Sequence, residues 1–245
     1  DEHGQKVADT AASKGMTPQE WCDSMEPAFR DAWKMLDITY TDFVRTTEPR
    51  HAESVKKFWN DLYEKGYLYK GSYEGWYCVH EETYYAESDL EKNDDGEFVC
   101  PDCKRPVQKA GGEENWFFKL SEFAEPLLKF YEENPDFIRP VTRKNEIVSF
   151  VKSGLKDLSI SRSTFDWGVP LPFDQGHVAY VWADALLAYL TGIGYGQDDT
   201  RPGEFEARWP MQYHFVGKDI TRFHCVIWPA MLMAAGLPIT HTVFG

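Results

Sequence analysis

The chain has 245 residues, 42% of them hydrophobic and 16% aromatic, and carries a formal net charge of −14. That length and composition suffice for one large or two small packed domains, while the acidic balance argues against a general nucleic-acid binder, whose grip depends on clustered Lys and Arg. No apolar run is long enough to span a bilayer and no charged-then-apolar leader opens the chain, which leads to the expectation of a cytoplasmic protein.

The chain opens Asp1-Glu2-His3-Gly4 without an initiator Met and ends Val243-Phe244-Gly245 directly after a strand-like run, so it reads as an internal piece of a longer protein. Residues 1 to 37 are expected to be helical after a short entry. Thr17-Pro18-Gln19-Glu20 supplies a capping residue, a first-position proline and a third-position Glu. Trp21, Met25, Phe29 and Trp33 follow at four-residue spacing, the ordinary pattern of a helix docking on a core, with Pro27 expected to break or bend the run. Residues 50 to 65 form the clearest amphipathic helix, with Val55, Phe58, Trp59, Leu62 and Tyr63 on one face and Gly66 as its stop.

The composition then changes. From Tyr67 to Glu114 come short aromatic pieces, the acidic turn Asn93-Asp94-Asp95-Gly96 and three of the five cysteines, the mark of a small inserted domain that closes with helices over Phe123 to Tyr131 and Asn145 to Val151. From Asp157 onward the pattern returns to strand, loop, helix, strand. Val178 to Val181 reads as a buried strand, and Trp182, Ala185, Leu186 and Tyr189 fall on one helical face. Tyr213 to Val216 is a further strand, Gly217 a tight turn, and the following segment a helix capped by Asp219. Ile239 to Phe244 is another strand. Alternating units of this kind predict an α/β fold with a mostly parallel, Rossmann-like sheet covered by helices on both faces. The sheet is divided between residues 1–66 and 157–245, with an insert at 67–156.

Three constellations carry chemistry. Cys100-Pro101-Asp102-Cys103 is a hook of the kind that holds half a tetrahedral zinc site, and Cys78 lies in a run that can face it. The fourth ligand is His80 or Glu81, unless the site is degenerate and empty. Second, Trp182, Tyr189, Ile220, His224 and Trp228 can converge into an apolar pocket with two polar handles, suited to a polarizable thioether, or can be plain core packing. Third, Asp1 can partner an ammonium group and Arg162 a carboxylate or phosphate, though either fits a surface ion pair equally well. A strand, a glycine turn at Gly217 and a helix start also present backbone N–H groups to a nucleotide. Nothing resembles a Ser-His-Asp triad, a Walker loop or a paired-carboxylate hydrolase site.

Asp1 to Lys6, Tyr73 to Cys78, Glu113 to Ser121, Asp157 to Arg162, Val181 to Ala185 and Gly217 to Met233 together resemble the catalytic core of the methionyl-tRNA synthetase family, class I aminoacyl-tRNA synthetases. The resemblance implies a Rossmann-like catalytic domain split by a connective insert that often carries zinc. It also implies activation of methionine by ATP with Mg2+ and transfer to tRNA(Met). By the same resemblance, Asp1 contacts the amino group and Trp182, Ala185, Tyr189, Ile220, His224 and Trp228 line the side-chain pocket. Gly217, Lys218 and Asp219 lie by the nucleotide, and Arg162 serves the reacting carboxylate and phosphate. The family's HIGH-type and KMSKS signatures and its anticodon-reading helices would lie outside these 245 residues, so the segment alone is expected to be an incomplete catalyst. The rivals are a synthetase for leucine, isoleucine or valine, which needs a larger editing insert than 67–156 can hold, and a catalytically silent, synthetase-derived binding module.

Overall fold

The structure is a computed structural model describing residues 1–81, 83–93 and 95–245, and the side chains of residues 73, 74, 83 and 110–113 also lie outside the description. Parts of the expected Asn93–Gly96 turn (Asp94) and of the Tyr73–Cys78 and Glu113–Ser121 runs therefore fall outside the described residues.

The core is built on the helix Pro49–Glu64, which opens with Pro49 at its first position and stops before Gly66, whose φ of 77° suits a residue without a Cβ. Val55, Phe58, Trp59 and Leu62 are fully buried on one face, the amphipathic stripe expected from sequence. Tyr63 is the exception, 42% exposed and stacked on Phe173 at 4.4 Å between ring centroids. The Trp59 indole donates to the Ala183 carbonyl at 2.8 Å, tying this helix to the segment that carries the aromatic pocket.

Ahead of it lie helices Gln5–Ser13 and Pro18–Met35. The Thr17–Glu20 capping box forms as expected, but the helix continues unbroken through Pro27, and the carbonyl left without its donor belongs to the exposed residue Asp23. The four-residue stripe is not core either. Met25 and Phe29 are exposed and Trp21 and Trp33 only half-buried, because the helix docks through Cys22 and through ion pairs from Arg45 to Asp23 and Glu26.

Strands Leu68–Cys78 and Gln108–Phe118 pair antiparallel as a long ribbon with a bulge between Tyr73 and Gly75, and Thr83–Tyr85 and Leu158–Ser159 add to its sides. The ribbon's far end holds the cysteines and the small Glu91–Lys92, Phe98–Val99 hairpin. The chain then returns: Leu127, Tyr131, Phe137, Ile138, Ile147 and Val151, from helices Ala124–Glu133 and Val141–Lys152 and the strand between them, sit in the same core cluster as Trp59.

The parallel sheet has the order Tyr213–Phe215, Thr242–Phe244, Ile138–Arg139. The strand around Val178 does not join it. Asp174–Ala179 instead pairs antiparallel with Ser161–Arg162 and Pro170–Leu171 in a separate three-stranded sheet, and Val181 already begins a helix. The run of apolar residues there marked burial correctly, but burial alone does not say which sheet a strand joins. On the parallel strands, His214 and Val243 face the core while Tyr213, Phe215 and Phe244 are 55%, 77% and 47% exposed. Among the described residues, helices do not cover both faces of these strands.

Trp59 joins the two halves of the core, so Trp59→Ala should cost about 3–5 kcal/mol and Trp59→Phe distinctly less. A lowered urea midpoint at unchanged denaturant slope is the expected reading; a midpoint unmoved in Trp59→Ala would contradict this account of the core.

Candidate active site

Glu2 and His3 are fixed by contacts to several distant segments. The Glu2 N–H donates to Thr46 Oγ1 at 2.9 Å, and its carboxylate accepts from Arg45 Nε at 2.7 Å and from the Thr47 hydroxyl. Its carbonyl accepts the Trp167 indole N–H at 2.7 Å. His3 Nδ1 lies 2.6 Å from Asp184 Oδ2, and His51 Nε2 lies 2.8 Å from Asp184 Oδ1. Asp184 and His51 are fully buried. Burial alone would raise the Asp184 carboxyl, but the hydrogen bonds from His3 and His51 outweigh it and hold it below the usual carboxylate range. Sequence reasoning missed this group, whose members are 133 and 181 residues apart in pairs. The available signal was that His3 and Asp184 each lie inside a motif already singled out for its neighbours, Asp1 and Trp182.

Asp1, next to these anchored residues and itself exposed, lines a cleft of about 510 Å³ whose walls also include His3, Lys6, His80, Glu81 and Trp182. The cleft brings together Asp1, the ribbon's turn and the first residue of the predicted aromatic pocket.

Of the predicted pocket residues, Tyr189, His224, Ile220 and Trp228 meet one another, while Trp182 stacks on Phe223, a residue the sequence reading left out. Trp182 stacks on Phe223 with ring centroids 3.7 Å apart and planes 17° from parallel. The Tyr189 hydroxyl sits 2.6 Å from His224 Nε2, and His224 Nδ1 lies 2.9 Å from the Ile220 carbonyl. Since a carbonyl only accepts, Nδ1 carries the proton and Nε2 accepts from Tyr189. Burial pushes the Tyr189 phenol up to about 12, consistent with a protonated donor, and burial lowers His224 despite the opposing bond to Ile220, leaving a neutral ring. Trp228 is fully buried, 6.1 Å from the Tyr189 ring. The indole N–H groups of Trp182 and Trp228 are buried without a hydrogen-bond partner among the described residues. Ala185 and Ile220 are half-buried.

Two local expectations change. Trp182, Ala185 and Tyr189 are spread over two short helices, Val181–Ala185 and Ala188–Thr191, rather than one. The segment after Gly217 is not capped by Asp219. Gly217 takes the cap position of a 3-10 turn over Lys218–Ile220, a π-helical stretch follows at Phe223–Ile227, and an α-helix at Trp228–Ala235. A π stretch widens the turn, and such departures recur at functional sites. Gly217, Lys218 and Asp219 are exposed.

Arg162 is not in the cleft wall. Its guanidinium lies among the rings of Tyr180, Tyr84 and Tyr77 at 4.2, 4.5 and 5.4 Å, and Nη1 donates to Ser159 Oγ and the Ser161 carbonyl. Nη2 is buried without a partner among the described residues. At the ribbon's end, the Sγ atoms of Cys78, Cys100 and Cys103 all lie within 4.8 Å of one another, with Cys78 and Cys103 at 3.5 Å. His80, Glu81 and Cys103 form a second such group.

With this geometry in place, comparison with known proteins is informative. The family model described as tRNA synthetases class I (M) matches residues 1–112 and 106–245. Methionine–tRNA ligase of Caldanaerobacter subterraneus subsp. tengcongensis is 52% identical over all of this chain and 37% of its own length, and that of Streptomyces coelicolor is 53% identical over 98% of this chain and 44% of its own length. The Mycobacterium tuberculosis methionyl-tRNA synthetase bound by methionyl-adenylate is 42% identical with a TM-score of 0.94, covering the whole chain and 48% of that protein. Its apo form gives 0.83 over 92% of this chain and 45% of that one. The chain belongs to the class I tRNA synthetase family of the methionine type. It spans well under half the length of the curated relatives it matches.

His214, 5.5 Å from the His224 ring, is pushed down to about 3 by burial and by its neighbour His224. An unfolded histidine titrates near 6.5, so the unfolded chain binds the extra proton first and stability is full above that pH. It should fall progressively as pH drops from about 6.5 toward 3. Replacing His214 by Gln should flatten that slope in urea titrations at a series of pH values, and an unchanged slope would show that His214 does not carry it.

Proposed function

We propose that the protein containing this chain activates methionine with ATP, forming methionyl-adenylate, and then charges tRNA(Met). One observation carries the reading: the chain neighbours Phe223 and His224 pair with Trp182 and Tyr189 respectively, and Trp182 also lines the cleft to which Asp1 contributes. An uncharged, polarizable box accepts a thioether and penalises a charged side chain. The orphaned indole N–H groups of Trp182 and Trp228 offer weak-acceptor sulfur two donors that the protein leaves unused.

In this reading Trp182, Ala185, Tyr189, Ile220, His224 and Trp228 hold the side chain and Asp1 holds the α-ammonium. The substrate carboxylate then attacks the α-phosphate of ATP, which enters with Mg2+. Gly217, Lys218 and Asp219 adjoin the nucleotide. Arg162, fixed by three tyrosine rings and with Nη2 unpaired, supplies positive charge to the carboxylate or phosphate when that donor is presented to substrate. The chain's work is positioning and charge stabilisation, without a covalent enzyme intermediate. The three parallel strands form part of a Rossmann-like sheet whose exposed aromatic face the rest of the longer protein would cover. The connective insert is 67–156, with the ribbon 68–118 as its projecting part. The workplace is the cytoplasm, and no helix among the described residues is long and apolar enough to cross a membrane.

The thiol cluster fits zinc. Three sulfurs share one small volume, the Glu81 N–H points at Cys78 Sγ at 3.5 Å, and burial pushes the Cys78 thiol up to about 12, so ionised sulfurs there need a cation beside them. Cys78, Cys100 and Cys103 would hold the ion, with His80 or Glu81 as fourth ligand, and its role would be to fix the end of the ribbon. Metal analysis of freshly purified protein should give about one zinc per chain by the four-ligand rule, lost in Cys103→Ser. A ratio near zero would sink the zinc knuckle.

For the activity itself, the longer protein should exchange pyrophosphate into ATP in a methionine-dependent way, and Asp1→Asn should lower kcat/KM for methionine by roughly 10- to 100-fold, the worth of a hydrogen bond to a charged group. Exchange driven equally by leucine, isoleucine or valine would refute the assignment.

A further inference from the structure

His3 is more than 90% buried, yet it lines the same cleft as Asp1. Its ring is fixed from two sides: Nδ1 sits 2.6 Å from Asp184 Oδ2, and the ring packs edge-on against Trp167 with centroids 5.2 Å apart. Asp184 is fully buried and shared with His51, whose Nε2 lies 2.8 Å from the other oxygen. A carboxylate between two imidazoles only accepts, so Nδ1 of His3 carries the proton that it donates. With Nδ1 carrying that proton, the neutral tautomer has its lone pair on Nε2, which has no hydrogen-bond partner among the described residues. The other titratable groups of the cleft wall are Asp1, Lys6, His80 and Glu81.

We propose that His3 Nε2 is a second acceptor for the substrate's α-ammonium group, beside the Asp1 carboxylate, and that Asp184 is the positioning residue that fixes its tautomer. This rests on the methionine-activating reading. An α-ammonium group has three N–H donors, and a single carboxylate leaves donors to spare. A neutral imidazole takes one of them without adding a second negative charge, which would hold the ammonium too tightly and attract cations in general. The arrangement follows the logic of an Asp–His pair in which the carboxylate selects the tautomer and the far nitrogen meets the substrate. Here the far nitrogen binds rather than removes a proton, so no proton transfer is required of it.

The decisive variant is His3→Asn in the full-length protein. An Asn amide places an N–H close to where Nδ1–H was, preserving the bond to Asp184, and deletes the outer acceptor. Three ligands separate the roles: methionine, methioninol, which keeps the ammonium and lacks the carboxylate, and 4-(methylthio)butanoate, which keeps the carboxylate and lacks the ammonium. Affinities come from pyrophosphate exchange for the first and from competition for the other two. The expected result is that methionine and methioninol both weaken by about 10-fold or more, as for loss of a hydrogen bond to a charged group, while the butanoate is unaffected. Asp184→Asn gives an independent reading, since its amide donates toward Nδ1, forces the proton onto Nε2 and should produce the same pattern. If all three ligands weaken equally in both variants, His3 is only structural and the proposal falls; it falls equally if methionine is unaffected. Absence of methionine-dependent exchange in the unmutated protein would instead overturn the functional reading, and this inference with it.

Discussion

The buried Asp184 carboxylate is the interaction on which the rest of the site depends. It joins three segments that the chain keeps far apart: the entry at His3, the core helix at His51 and the short helix that also carries Trp182 and Ala185. A carboxylate removed from water is tolerable only when its lone pairs are met by strong donors, and two imidazole N–H groups meet them here. Removing one would leave a buried charge half compensated, a loss of about 1.5–3 kcal/mol for one hydrogen bond to a charged group. The same bonds therefore tie the entry segment, two residues from Asp1, to the core.

The aromatic box works by the opposite device, the exclusion of charge. Burial keeps His224 and His214 neutral, in His224 against the opposing pull of the Ile220 carbonyl, and each ring has a hydroxyl partner, Tyr189 for one and Thr240 for the other. The π-helical stretch at Phe223–Ile227 brings Phe223 over Trp182 while His224 still reaches Tyr189. A regular α-helix there would have carried the ring positions around by a larger angle per residue. The departure from regular geometry thus coincides with the residues that define the box.

Much of the local structure was legible in the sequence because it depends on near neighbours. The Thr17–Glu20 cap, the buried face of the helix Pro49–Glu64 and its end at Gly66 all follow from spacings of three and four residues. The pocket residues were also legible, since Tyr189, His224 and Trp228 meet as their motifs suggested. What escaped depends on long-range pairing. Periodicity marked Val178 as buried but could not say that it pairs with Arg162 rather than with the parallel strands. It marked Trp21, Met25, Phe29 and Trp33 as a stripe, yet that helix is held mainly by ion pairs at Arg45, which a hydrophobic pattern cannot register. His3, Asp184 and His51 were silent for the same reason, each being an ordinary polar residue until the fold brings the three together.

The ribbon shows why the insert and the site cannot be treated as separate parts. Its turn carries Cys78 into the thiol cluster and, two and three residues on, places His80 and Glu81 in the wall of the cleft that holds Asp1 and His3. His80 Nδ1 and Glu81 Oε1 are already 2.9 Å apart, so the two side chains act as one unit. In the proposed zinc site, one of them would be the fourth ligand and the other would be left facing the cleft. The choice of ligand therefore also decides which charge the cleft presents beside Asp1: a carboxylate if the imidazole is taken, or an imidazole if the carboxylate is. In the proposed reading the cleft holds one ammonium group beside the Asp1 carboxylate, and a second nearby carboxylate would raise the cost of keeping both ionised when no substrate is bound. On electrostatic grounds the arrangement with Glu81 turned to the sulfurs and His80 left in the wall places less like charge around Asp1.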